Sequence, residues 1–330
     1  MEAELRPSVL SGSALLLAWT LSACASDTKP ANADGSAGAA GSAVGTGGAT
    51  GGNFGEQTLS VAQWPMPNSP GLGLRNPASY EASTAGVVHD LVTDLDWLQD
   101  PGIELYPRAE AIARCADLSF ADFDDWRVPE FIELVSLFEV VPNLTDPMDP
   151  LYISPIFKAE GRFWSMTAPT STGLGRLLDF TAAGCGSSPI CSIGVAANVE
   201  AALGGAFCVR NSQPPKAAPR YVQVDTQVVD LHTSLTWLSV PASMQTGAYA
   251  EALSACDALG SGARLPSVTE LLSILVPILD KTVFPGWPAD AFGWTSSAMP
   301  EKPDAYWVAA IGGATKVELS SSHNRVECVR

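Results

Sequence analysis

Val88-His89-Asp90-Leu91-Val92-Thr93-Asp94-Leu95-Asp96-Trp97-Leu98 returns later in the chain as Val228-Val229-Asp230-Leu231-His232-Thr233-Ser234-Leu235-Thr236-Trp237-Leu238. Four more landmarks follow both copies in one order. Cys115 matches Cys256. Arg127-Val128-Pro129 with Glu133-Leu134 matches Arg264-Leu265-Pro266 with Glu270-Leu271. Trp164-Ser165 matches Trp294-Thr295, and Cys208-Val209-Arg210 matches Cys328-Val329-Arg330. The repeat sets the domain count, pairs the cysteines and separates what the fold needs from what one copy has added. It predicts a first domain over 59–213, a Pro-rich hinge over 214–219 and a second domain over 220–330.

Each copy opens with a strand-like segment ending in Trp-Leu. A helix is expected near Pro107 to Leu118, and near Gly247 to Leu259. A second helix should start at each Arg-x-Pro motif. Ser267 and Glu270 have the spacing of a capping box, in which each side chain satisfies a free backbone N–H. Val268, Leu271, Leu272 and Leu275 then share one helical face, as do Phe131, Leu134, Val135 and Phe138. Gly- and Pro-rich loops with short strands follow. The order strand, helix, helix, short strands indicates an α+β fold.

The composition narrows the partners. Of 330 residues, 46% are hydrophobic and 16% charged, enough to bury a core. A net charge of −17, from 18 basic against 35 acidic residues, repels nucleic acid and sulfated or phosphorylated polymers.

The N-terminus reads as an export signal. Val9 to Leu21 has the length of a signal-peptide core, too short to span a bilayer comfortably. It ends in Leu21-Ser22-Ala23-Cys24, which resembles the lipobox of bacterial lipoproteins. The resemblance implies a signal peptide over 1–23 and lipidation of Cys24, and Ala25 after it points to the outer membrane. From Cys24 to residue 58 the chain is a Gly/Ala/Ser/Thr linker that cannot form a core. Some 30 such residues reach roughly 30 Å on average, which lifts a folded head clear of a lipid surface.

Setting Cys24 aside, six of the seven cysteines remain in an exported chain. The repeat selects one pairing: Cys115 with Cys208 and Cys256 with Cys328. Cys185 and Cys191 have no counterparts and are expected to close a local loop.

These landmarks resemble the C-terminal domain of the Legionella collagen-like adhesin, the family also known as DUF1566. Its pattern runs Thr-Gly-Leu-x-Trp, a cysteine helix, Asp-Trp-Arg-Leu-Pro with Glu-Leu, Trp-Ser-Ser, and a final Cys-Val-Arg. Here Asp94 and Ser234 stand where the pattern has Gly, and the second copy lacks Asp-Trp before Arg264. Arg264-Leu265-Pro266-Ser267-Val268-Thr269-Glu270 also looks like a segment of formylglycine-generating-enzyme-like domains. The resemblance implies two tandem C-type-lectin-like domains, each with two helices and small antiparallel sheets closed by a disulfide. The copper-binding cysteine pair of the catalytic members has no match, so oxidase chemistry is not expected.

Several residues invite a role. Arg127 and Arg264 could grip an anion; the structural alternative is that they anchor the helix start through Glu133 and Glu270. Trp97 and Trp237 alternate like half-buried strand residues. Trp126, Trp164, Trp294 and Trp307 are the candidate platforms for sugar stacking, with core burial as the alternative. Asp122, Asp124 and Asp125 are the one candidate Ca²⁺ cluster, against a solvated acidic turn. No cofactor is otherwise expected. No His pair has metal-ligand spacing, and no nucleophile can be assigned a base.

The sequence therefore reads as a surface-tethered, non-enzymatic binding or adhesion lipoprotein of the outer membrane, recognising a glycan or another cell-surface polymer. The alternatives are a structural or protein-binding envelope lipoprotein and, third, an enzyme acting on envelope polymers.

Overall fold

The computed structural model describes residues 65–141, 151–167, 174–181, 190–192, 194–198, 201–211, 220–260, 262–275, 291–300, 302–310 and 314–330. Cys24, the linker, Cys185 of the expected Cys185–Cys191 pair and the Pro-rich hinge lie outside the described residues. In the first half the elements are β1 (Tyr80–Ala82), β2 (Val87–Asp90), β3 (Leu95–Leu98), α1 (Arg108–Ala116), α2 (Phe131–Ser136), β4 (Arg162–Trp164), β5 (Leu174–Asp179), β6 (Ile190–Ser192), β7 (Gly194–Asn198) and β8 (Val209–Asn211). The second half contributes β9 (Tyr221–Val224), β10 (Gln227–Asp230), β11 (Leu235–Leu238), β12 (Thr246–Gly247), α3 (Tyr249–Asp257), α4 (Val268–Leu275), β13 (Phe292–Ala298), β14 (Ala305–Ala310), β15 (Ala314–Leu319), β16 (Asn324–Arg325) and β17 (Cys328–Val329). The fold is α+β, with few helices, small and mainly antiparallel sheets, and disulfides.

The two quoted segments form equivalent hairpins. Val88 faces Trp97 across β2 and β3, and Val228 faces Trp237 across β10 and β11. Trp97 then pairs with Val209 of β8, as Trp237 does with Val329 of β17. The turn explains the family's glycine. Asp94 and Ser234 both have φ +58°, left-handed backbone that glycine adopts at least cost and that Asp and Ser tolerate less well. The two disulfides selected by the repeat are present, Cys115–Cys208 and Cys256–Cys328, tying α1 to the start of β8 and α3 to β17.

The halves are not independent bodies. Thr58–Arg330 is one compact unit. One apolar core joins Trp97, Phe131, Leu134 and Phe207 of the first half to Trp237, Leu271, Leu275 and Trp307 of the second. Phe138 and Tyr152 meet Trp307 edge-on, at 6.0 and 5.9 Å between ring centroids. Strand β6 pairs antiparallel with β15, so a first-half segment extends a second-half sheet. Thr269 Oγ1 of α4 donates to Pro67 O at 2.9 Å, pinning the segment before β1.

The hairpins differ in how a buried aspartate is answered. Arg220 forks onto Asp230, at 3.0 Å from Nε and 2.6 Å from Nη2. Leu231 N–H donates to Arg220 O as Leu91 N–H donates to Ser79 O, so Ser79 holds the place of Arg220 in the first half. Asp90 is left with hydrogen bonds from Thr93 Oγ1 and the N–H groups of Val92 and Thr93. Burial raises its pKa. Close by, the Tyr80 hydroxyl is buried without a hydrogen-bond partner among the described residues, and the charges of Asp90 and Glu139 add to burial in raising its pKa. Burial alone pushes Glu139 up to about 7.

This gives a signed pH dependence. The folded-state pKa of Glu139 lies above its unfolded value, so its stabilisation is complete below about pH 4.5 and is lost as pH rises to about 7. Glu139→Gln should therefore be more stable than the parent at pH 8, by up to about 3 kcal/mol, and similar to it at pH 4.5. Urea unfolding at the two pH values checks this; an unchanged difference between parent and variant at both would contradict it.

Candidate functional site

One ion pair closes each Arg-x-Pro turn. Arg127 donates from Nη1 to Glu133 Oε2 at 2.7 Å and from Nη2 to Oε1 at 2.6 Å. Arg264 makes the same fork with Glu270, at 2.7 Å for both bonds. Each carboxylate also accepts a backbone N–H at the helix start, from Glu130 at 2.6 Å or Ser267 at 2.7 Å. Both guanidiniums are committed to buried carboxylates, which leaves them poorly placed to grip a ligand.

The tryptophan expectation is corrected. Trp126, Trp164, Trp294 and Trp307 are each at most 2% exposed, so no indole face is open to a sugar. Their burial has a reason in three cases. Trp164 Nε1 donates to Tyr106 O and Trp294 Nε1 to Gly247 O, both at 2.8 Å, and Trp126 Nε1 reaches Phe120 O at 3.3 Å. These indoles fasten loops to the core.

The aspartate cluster is also corrected. Asp125 is taken by Arg210, at 2.7 Å from Nε, and Asp122 and Asp124 are exposed. Among the described residues no three His, Cys, Asp or Glu side chains come together as a metal site would require. Arg210 also bonds Asp96 at 2.5 Å and lies over the Phe123 ring, while His89 Nδ1 meets Asp96 at 2.8 Å. This network belongs to the first half alone: its second-half counterparts include Val229 and Thr236.

A surface groove of about 510 Å³ opens beside the start of α3. Its small apolar lining residues are the buried Gly247, Ala255 and Val326 and the exposed Ala250. Its rim carries the hydroxyls of Ser243, Thr246 and Ser254, the Met244 side chain and the carboxylate of Glu251. The size lies within the range of about 300–1,000 Å³ typical of ligand clefts. Trp294 anchors the back of the groove through Gly247 O.

Local sequence differs between the halves around this groove. Counting from Cys115 and Cys256, Tyr106-Pro107 stands where the second half has Gly247-Ala248, and Arg114 where it has Ala255. The Trp164 and Trp294 bonds to Tyr106 O and Gly247 O fix the same correspondence in space. In the first half the Arg114 guanidinium lies 4.4 Å over the Tyr106 ring. In the second half Gly247 and Ala255 remove both groups. Glu251 is placed by the same change. Its Oε2 accepts the Ala248 N–H at 2.8 Å, a donor that Pro107 lacks. A Cβ on Gly247 would lie 2.8 Å from that oxygen, so only glycine leaves the carboxylate where it is.

Reading the repeat for matches passes over this site, because the signal lies in the mismatches Tyr106/Gly247, Pro107/Ala248 and Arg114/Ala255. Residues 226–330, which contain the whole groove, match the Lcl C-terminal domain family. No curated protein matches the chain.

Proposed function

We propose that this is a surface-tethered, non-enzymatic binding or adhesion lipoprotein that recognises a glycan or another cell-surface polymer. The groove beside α3 is the observation that carries the reading, since it combines an apolar floor with hydroxyls and a fixed carboxylate. The match of the second half to the Lcl C-terminal domain, a family of adhesin character, supports it. The lipobox-like Leu21-Ser22-Ala23-Cys24 and the linker behind it supply the tether to the outer membrane. We further propose that the halves are tandem C-type-lectin-like modules. The matching hairpins, disulfides and Arg–Glu forks favour a duplication.

A second reading, contact with a protein partner of the envelope, is favoured by one surface. Ile103 is 84% exposed, Leu105 49% and Leu203 42%. The antiparallel Tyr106–Gly204 bridge makes the last two diagonal neighbours on one side of the pairing. Binding of the full chain to a broad panel of neutral, cationic and anionic glycans separates the readings. Saturable binding to members of the panel is expected, with sulfated chains the weakest because of the net negative charge. Absence of binding across the panel would set the glycan reading aside for the protein-partner one.

A further inference from the structure

Resting on the glycan reading, we infer that the groove beside α3 takes a protonated amino sugar, a pyranose ring carrying an ammonium group. The first half shows what this space accommodates. There a flat ring, Tyr106, lies under a cation, Arg114. The second half deletes both and leaves a groove in which a ligand can supply ring and cation together.

The lining suits that chemistry part by part. Gly247, Ala250 and Ala255 are small apolar lining residues that suit the apolar face of a pyranose. Ser243 and Thr246 offer hydroxyls to the sugar's own. Glu251 supplies the charge. With Oε2 held by Ala248 N–H, the carboxylate is fixed before any ligand arrives, and among the described residues Oε1 is left to accept from an ammonium. Fixing it in advance lowers the ordering cost of binding. The carboxylate also offsets the positive end of α3, which would otherwise disfavour a cation there. At long range the net charge of −17 attracts a polymer of such units and repels a sulfated one.

Titration calorimetry on the full chain tests this, with glucosamine oligomers, N-acetylglucosamine oligomers and glucose oligomers of equal length as probes. The glucosamine oligomer should bind at least about tenfold more tightly than either neutral one. Glu251→Gln should remove that preference, since a lost charge-assisted hydrogen bond costs about a tenfold to hundredfold change in affinity. Glu110→Gln, at the matching place in the first half, should leave it intact. Gly247→Ala, which crowds Glu251, should weaken binding as well. A near-UV circular dichroism spectrum shared with the parent shows that each variant folds. Equal binding of all three oligomers, or a preference untouched by Glu251→Gln, would overturn the ammonium assignment while leaving a glycan binder. Binding of none of the three would overturn it too, and the wider panel then decides whether the glycan reading survives.

Discussion

Replacing Cys256 and Cys328 by alanine should cost about 4–5 kcal/mol of stability in the chain-entropy picture, because the bridge closes a loop with a sequence separation of 72. The Cys115→Ala/Cys208→Ala pair, separated by 93, should lose a similar amount. The shared core sharpens the expectation. Trp237, Leu271 and Trp307 pack in one cluster with Trp97, Phe131 and Phe207. Loosening the second half therefore exposes first-half surface as well. Denaturant unfolding of either double variant should show one transition, shifted for both halves together. Two transitions, with the untouched half melting where the parent does, would contradict the shared core.

Arg264→Ala should cost about 3–5 kcal/mol, the penalty for leaving a buried charge without its partner. Glu270 is 1% exposed, and its carboxylate would keep only the Ser267 N–H as a strong local donor. Arg264→Met with Glu270→Leu should restore much of the loss, because no charge stays buried. Urea unfolding of the parent and the two variants at neutral pH measures both effects. A loss below about 1 kcal/mol would mean the fork behaves as a surface pair.

Those two expectations rest on features the sequence announces. A repeated Arg-x-Pro with Glu six residues on, in both copies, points to a local pair, and the structure contains it twice. Cysteines in matching places identify their own partners. The hairpins are legible because alternation with a period of two marks one buried face. What that face packs against is not legible. Val88 and Val228 alternate alike, yet only the folded chain shows both in one core. The tryptophans are ambiguous for the same reason, since sugar platform and core burial both fit their sequence. Trp164 and Trp294 open loop-rich stretches and look free, but distant backbone carbonyls at Tyr106 and Gly247 hold their indoles inside. The groove depends on an absence of atoms at Gly247 and Ala255. Such a gap has no motif of its own and shows only against the residues that fill it in the other half.

The most direct test of the central claim is a crystal structure of the protein with a short glucosamine oligomer. A ring lying over Ala250 and Ala255, with its ammonium against Glu251 Oε1, is the predicted result. An oligomer seated elsewhere on the surface, with the groove beside α3 empty at saturating concentration, would contradict it.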